Sequence, residues 1–201
     1  MPGYPRLGLP LPVELVNTAF VASGQPSDAL ATRRDLEFWL RANAAHFPTS
    51  TPAATARNLA RFRQLRDALR QLFGALVEAS PPPRAALQVL NELSAEAPQV
   101  ARLDWRAGAP HLRMVELADA RNVGVAIVAR AGIAFIAGPD HQHLRRCQAP
   151  GCVLFFLHEG RRGQWCSGTC GNRARVARHY ARHHPTRAED IEPQPARRKA
   201  R

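Results

Sequence analysis

The chain has 201 residues, a formal net charge of +12, four cysteines, and a single lysine among its 28 basic residues. That length suits one compact domain, or one domain with a small appended module, and it can bury a sizeable core. No apolar run reaches the ~18 residues of a membrane span; residues 123–138 come nearest and are broken by Arg130. The N-terminus lacks a basic segment followed by an apolar stretch and a cleavage site, so the chain reads as a soluble cytoplasmic protein without an export signal.

The position of the charge matters more than its total. Residues 1–139 hold 15 Arg against 11 Asp and Glu, a net +4, whereas residues 140–201 hold 12 Arg and Lys199 against five acids, a net +8. All four cysteines lie in that second part. A concentrated basic segment points to a polyanionic partner. The preference for Arg over Lys also fits GC-rich coding, so an arginine alone is no evidence of a phosphate contact.

The predicted elements run as follows. A Pro- and Gly-rich lead-in precedes a short helix over Glu14–Val21, and Ser23-Gly24-Gln25-Pro26-Ser27 is a turn. Ser27 or Asp28 caps a helix to about Asn43, with Leu30, Leu36, Trp39 and Leu40 on its apolar stripe. Thr51-Pro52 opens the clearest helix, in which Leu59, Phe62, Leu65, Leu69, Leu72, Phe73 and Leu76 recur at steps of mostly three and four. Arg57, Arg61, Arg66, Asp67 and Arg70 read as its solvated face. Ser80-Pro81-Pro82-Pro83 breaks the chain before a shorter helix over Arg84–Glu96. Two strands around Arg106-Ala107-Gly108-Ala109-Pro110 form a hairpin. A helix over Asp119–Gly138 follows. The expected class is α+β: a mostly helical N-terminal domain with a small β-hairpin, then a small C-terminal zinc finger of hairpin plus helix.

Metal chemistry is carried by Cys147-x4-Cys152-x13-Cys166-x3-Cys170. Two close cysteine pairs about a dozen residues apart suit one tetrahedral structural zinc, each pair aiming two sulfurs at one point. Val153–Leu157 reads as a strand, 159–163 as a turn, and Gln164-Trp165 as the return to the second pair. Disulfides would need an oxidising compartment, and redox catalysis favours a Cys-x-x-Cys spacing that is not present. Four thiolates leave no open position for a catalytic water. A Cys2His2 finger through His179 and His183 would orphan Cys166 and Cys170.

Beyond Cys170 the chain is a basic helix ending at Pro185. Val176 and Tyr180 are placed to pack on the zinc hairpin beside Phe155 or Trp165, while Arg175, Arg178 and Arg182 share another face. Such a cationic stripe suits phosphate contacts and, in a major groove, guanine readout.

Cys170-Gly171-Asn172-Arg173, with both cysteine pairs and Trp165-Cys166-Ser167, resembles the CGNR zinc finger. Leu15-Val16-Asn17-Thr18 and Asp35-Leu36-Glu37-Phe38-Trp39-Leu40 resemble the opening of the ABATE domain. Bacterial proteins that join the two are regarded as stress-induced transcription regulators. The resemblance implies an ABATE-like domain over 10–139, a finger over 143–184, and leaves 185–201 as a disordered basic tail. The hairpin segment 157–163 is about two residues shorter than in that family, and Arg175 stands where it often has lysine.

The resulting expectation is a zinc- and DNA-binding regulator at the bacterial nucleoid, with no enzymatic activity and no membrane partner. Cys147, Cys152, Cys166 and Cys170 hold one structural Zn2+, and Arg173, Arg175, Arg178 and Arg182 meet DNA. Asn172 and Arg173 have an equal alternative, supporting the zinc knuckle. An RNA- or ribosome-associated zinc protein is the second reading. A third is a small-molecule-binding N-terminal domain with the finger as an interaction module. A small-molecule effector at the N-terminal domain and a homodimer complete the partner readings.

Overall fold

The computed structural model describes residues 5–47, 51–117, 120–158 and 163–183. Its first helix, α1 (Leu11–Val16), starts after Pro10 and is buried along its whole length. The expected helix over Glu14–Val21 is therefore displaced toward the N-terminus. Phe20 and Val21 instead enter β1 (Ala19–Ala22), which pairs antiparallel with β2 (Gln25–Asp28). The two-residue turn between them, Ser23-Gly24, has positive φ at both positions (50° and 79°), the geometry whose twist matches a tight hairpin.

Asp28 closes this hairpin and does not cap the next helix. That helix, α2 (Arg33–Ala42), starts at Thr32, whose hydroxyl accepts from the Asp35 N–H while the Asp35 carboxylate accepts from the Thr32 N–H. This reciprocal cap satisfies two otherwise orphaned donors, and it outcompetes the earlier Ser27 and Asp28. Likewise α3 (Ala56–Val77) starts from Thr55, which accepts from the Asn58 N–H, and not from Thr51-Pro52.

The 22-residue α3 is the centre of the molecule. Of the apolar positions expected on it, Leu59, Phe62, Leu65, Leu69, Leu72 and Phe73 are buried and Leu76 is partly buried. α4 (Arg84–Ala95) and α5 (Ala120–Ala137) pack beside it, along with α1. A Cβ at Gly132 of α5 would lie 2.7 Å from Leu69 Cδ2, so the close crossing of α3 and α5 needs a residue without a side chain. Phe73 then joins two parts of the chain, meeting Phe135 edge-on at 5.4 Å and Phe155 at 5.8 Å.

The arginines of α3 depart most from expectation. Arg66 is buried, paired with Asp28 and Asp67. Arg63 donates to the carbonyls of Leu30 and Ala31, and Arg70 donates to the carbonyl of Val153 at 2.8 Å. Arg61 pairs with Glu96. These side chains tie α3 to its neighbours, because a guanidinium can reach past the apolar stripe and satisfy several carbonyls at once.

Between α4 and α5, β3 (Gln99–Arg106) and β4 (Ala109–Glu116) form the expected antiparallel hairpin, turning at Ala107-Gly108. It is held at its base, where Arg130 of α5 donates to the carbonyl of Ala97 and to Glu116. A last pair, β5 (Leu144–Arg146) with β6 (Phe155–Leu157), leads into α6 (Gly168–His183). The architecture is α+β, helical at its core with three separate two-stranded hairpins among the described residues.

Candidate metal centre

β5 and β6 deliver the first cysteine pair. The backbone of Cys147 donates to the carbonyl of Leu154, and Cys152 donates to Ala149, with Gly151 at positive φ between them. The strand pairing differs from the expected hairpin. β6 pairs with the upstream segment Leu144–Arg146, not with the return through Gln164-Trp165, which contributes one bond from Gln148 N–H to the Gln164 carbonyl. The expected turn falls mostly on residues 159–162, outside the described residues. The segment entering α6 delivers Cys166 and its first turn Cys170, whose N–H donates to Ser167 Oγ.

The four sulfurs lie within 4.8 Å of one another, Cys152 to Cys166 at 3.8 Å and Cys166 to Cys170 at 3.6 Å. Zn–S bonds of ≈ 2.3 Å in a tetrahedron separate sulfurs by about 3.8 Å. None of the four is in a disulfide. The donor set and spacing thus fit one structural zinc with a closed shell. The hydrogen bond from Cys166 pulls the Cys152 thiol down to about 5, and the same bond pushes Cys166 up. Burial raises Cys147. Among the described residues, no other group of histidine, cysteine or acid is placed to hold a metal ion. His179 and His183 stack on each other at 4.3 Å on the exposed side of α6, apart from the sulfurs.

Residues beside the ligands support them. Arg173 Nη2 donates to Cys170 Sγ at 3.0 Å, and that hydrogen bond holds the guanidinium above its ordinary pKa. Asn172 accepts from Arg175 through Oδ1. Trp165 lies between Gly171 of α6 and the guanidinium of Arg178, whose carbon stands 5.6 Å from the ring centroid. Cys170, Gly171 and Ala174 form the buried side of α6. Val176 and Tyr180, expected on that side, are 54% and 61% exposed. At 100° per residue they fall well over a right angle away from Ala174, and short side chains let α6 approach the knuckle more closely than Val and Tyr would.

The four arginines do not form one face. Arg175 and Arg182 are exposed together on the outer side of α6. Arg178 flanks them, its Nε bonded to the carbonyl of Ala174. Arg173 lies about 160° around the helix from Arg175, turned to the metal.

Two contacts that the sequence pattern did not reveal seat this centre on the rest of the molecule. Asn17, after α1, hydrogen-bonds both backbone groups of Phe155. Glu14 is buried, and its Oε1 accepts from the N–H groups of Leu7 and Leu9, whose side chains pack against the cysteine cluster. The only sequence signal was polar residues, Glu14 and Asn17, inside an otherwise apolar segment.

Residues 9–139 match the family model described as "Putative stress-induced transcription regulator", the ABATE domain. Residues 143–183 match that of the CGNR zinc finger. No curated protein matches the chain. With most of its length covered by the first match and its four clustered cysteines by the second, the chain belongs to the ABATE family and carries a zinc-binding CGNR finger behind that domain.

Proposed function

We propose that the protein is a DNA-binding transcription regulator in which α6, held by zinc, meets the double helix. The observation that carries this reading is the fixed outer face of α6. Its first turn supplies Cys170 and the segment entering it supplies Cys166, Arg178 locks onto Trp165, and Arg175 and Arg182 are left exposed beside His179 and His183. A helix so anchored holds its cations in one orientation, which base or phosphate recognition requires. The net +8 of residues 140–201 adds long-range attraction.

In this reading Arg175, Arg182 and, at the edge, Arg178 touch DNA, while Arg173 and Asn172 serve the knuckle. The N-terminal domain, over about 10–139, senses a signal or mediates assembly. One cleft of about 400 Å3 between α1 and α5, lined by Leu11, His46, Ile127, Phe135 and Asp140, has room for a small effector. The test is binding of the zinc-loaded protein to duplex DNA from its own genome, with structured RNA as competitor. Charge reversal at Arg175 and Arg182 is expected to weaken DNA binding and to lower its salt dependence by about two phosphate contacts. Preference for RNA, or unchanged affinity of the variants, would overturn it.

A further inference from the structure

The β3–β4 hairpin projects from the helical body, and beyond its basal Gln99–Glu116 rung one of its faces is apolar out to the tip. Paired residues in an antiparallel ladder share a face. Ala101 opposes Met114, Leu103 opposes Leu112, and Trp105 opposes Pro110. All six are exposed, with Leu103, Leu112 and Trp105 at 71%, 73% and 69%. The opposite face carries Arg102, Arg113 and Arg106, with Asp104 bridging the last two. A two-stranded hairpin is marginal by itself, and an uncovered apolar patch of this kind marks an interaction surface.

We propose that this face packs against the same face of a second copy, making the protein a two-fold symmetric dimer. Three observations select that occupant. The face bears no charge over these three rungs and its one polar group is the indole N–H of Trp105, so its complement must itself be largely apolar. The face is also self-complementary in shape. Its large residues, Trp105 and Met114, occupy one diagonal, and its small ones, Ala101 and Pro110, occupy the other. A two-fold axis running across the strands through the Leu103–Leu112 rung exchanges the diagonals. It sets Trp105 on Ala101 of the other copy and Met114 on Pro110, with leucine on leucine at the centre. The same axis sends the two helical bodies to opposite ends and turns the arginines of both copies outward, away from each other.

The third observation is size. Six side chains at these exposures present about 500 Å2 of apolar surface. Two copies would remove about 1,000 Å2, the lower bound for a specific interface. An interface of that size is compatible with dissociation in the micromolar range.

Sedimentation equilibrium of the zinc-loaded full chain, from about 1 to about 100 µM, tests the proposal. The wild type is expected to pass from monomer to dimer across that range. Leu103→Glu and Leu112→Glu are each expected to weaken dimerisation at least tenfold, with unchanged melting temperature at about 1 µM, where wild type and variants are both monomers and both side chains are exposed. A bismaleimide should join Leu103→Cys chains to each other and leave Arg102→Cys chains, which carry the thiol on the opposite face, unjoined. A wild type that stays monomeric, dimers that survive both substitutions, or equal crosslinking at 102 would overturn it. So would a monomer whose tryptophan emission shifts on phosphatidylglycerol vesicles, which would assign the face to a lipid surface.

Discussion

The carboxamide of Asn17 acts as a strand partner for Phe155. Its Nδ2 donates to the Phe155 carbonyl at 2.8 Å and its Oδ1 accepts from the Phe155 N–H at 2.9 Å, across 138 positions of sequence. Arg70 completes the attachment, donating to the Val153 carbonyl with its guanidinium over the Phe155 ring. The second strand of the finger, β6, is thereby built into the helical core. Nothing about either partner alone announces this, since Asn17 falls within the helix expected over Glu14–Val21 and Phe155 within an apolar strand.

Asn17→Ala should therefore destabilise the protein by roughly 2–4 kcal/mol, since two hydrogen bonds disappear and two buried backbone groups lose their partners. Asn17→Asp should cost at least as much, because the Phe155 carbonyl would face a buried carboxylate. Urea unfolding of the zinc-loaded protein measures both. A loss below about 0.5 kcal/mol for Asn17→Ala would mean that water replaces the carboxamide and that the attachment is loose.

Arg173 separates two roles that its place in the Cys-Gly-Asn-Arg sequence leaves open. Its bond to Cys170 Sγ orients a ligand and offsets part of the thiolate charge. Loss of such outer-shell partners lowers metal affinity by about 10–100-fold. Arg173→Ala should release zinc to a chromogenic chelator correspondingly faster, while Arg173→Lys should retain part of the effect. DNA affinity measured at saturating zinc should change little. An Arg173→Ala protein that keeps its zinc but loses DNA would place this side chain in the interface.

The pair of buried Arg66 and partly exposed Asp28 predicts a specific acid response. Burial raises the Asp28 carboxyl, but the hydrogen bonds from Arg66 and the Leu30 N–H, with the charges of Arg66 and Arg63, together outweigh it and leave the group below its ordinary 3.8. A carboxyl depressed in the folded state stabilises it above pH 3.8, and that contribution fades as pH falls from there through the folded value. Arg66→Met should therefore lower stability at neutral pH, by about 1 kcal/mol, since the Asp28 carboxylate it leaves behind reaches solvent. It should also flatten the acid limb between about pH 5 and pH 2. Parallel acid limbs in the two proteins would show that the pair does not set this response.

Legibility of the sequence followed the range of the interactions. The apolar recurrence from Leu59 to Leu76, the hairpin about Ala107-Gly108 and the four cysteines are local patterns, and each marks a real feature of the fold. Arg66 and Arg70 looked like a solvated face because their partners, Asp28 and Val153, lie far away in sequence. The β5–β6 pairing was missed for the opposite reason. Leu144–Arg146 is too short and too basic to look like a strand, and only its position against β6 makes it one. Val176 and Tyr180 carried the right spacing for packing, yet Ala174 and Gly171 took the buried side because close approach to the sulfurs favours small residues.

Removal of zinc should reach well beyond the finger. The metal holds Cys147 and Cys152 to α6, and the short segment between β5 and β6 has little else to fix its course. Four unpaired thiols in a partly buried cluster cannot replace a metal whose binding is worth several kcal/mol of folding. Once this knuckle loosens, Phe155 is free to leave Phe73, and Asn17 and Arg70 lose their acceptors. Chelation under reducing conditions should thus lower the melting temperature of the whole protein. Hydrogen exchange should speed up at Asn17, Thr18 and Phe155 as well as along α6, while α4, which touches none of these groups in the contacts above, should retain its protection until global unfolding. Exchange that accelerates only in residues 143–183, with the backbone around Asn17 unchanged, would show that the finger comes away as an independent module and that the Asn17–Phe155 contact transmits nothing to the helical core.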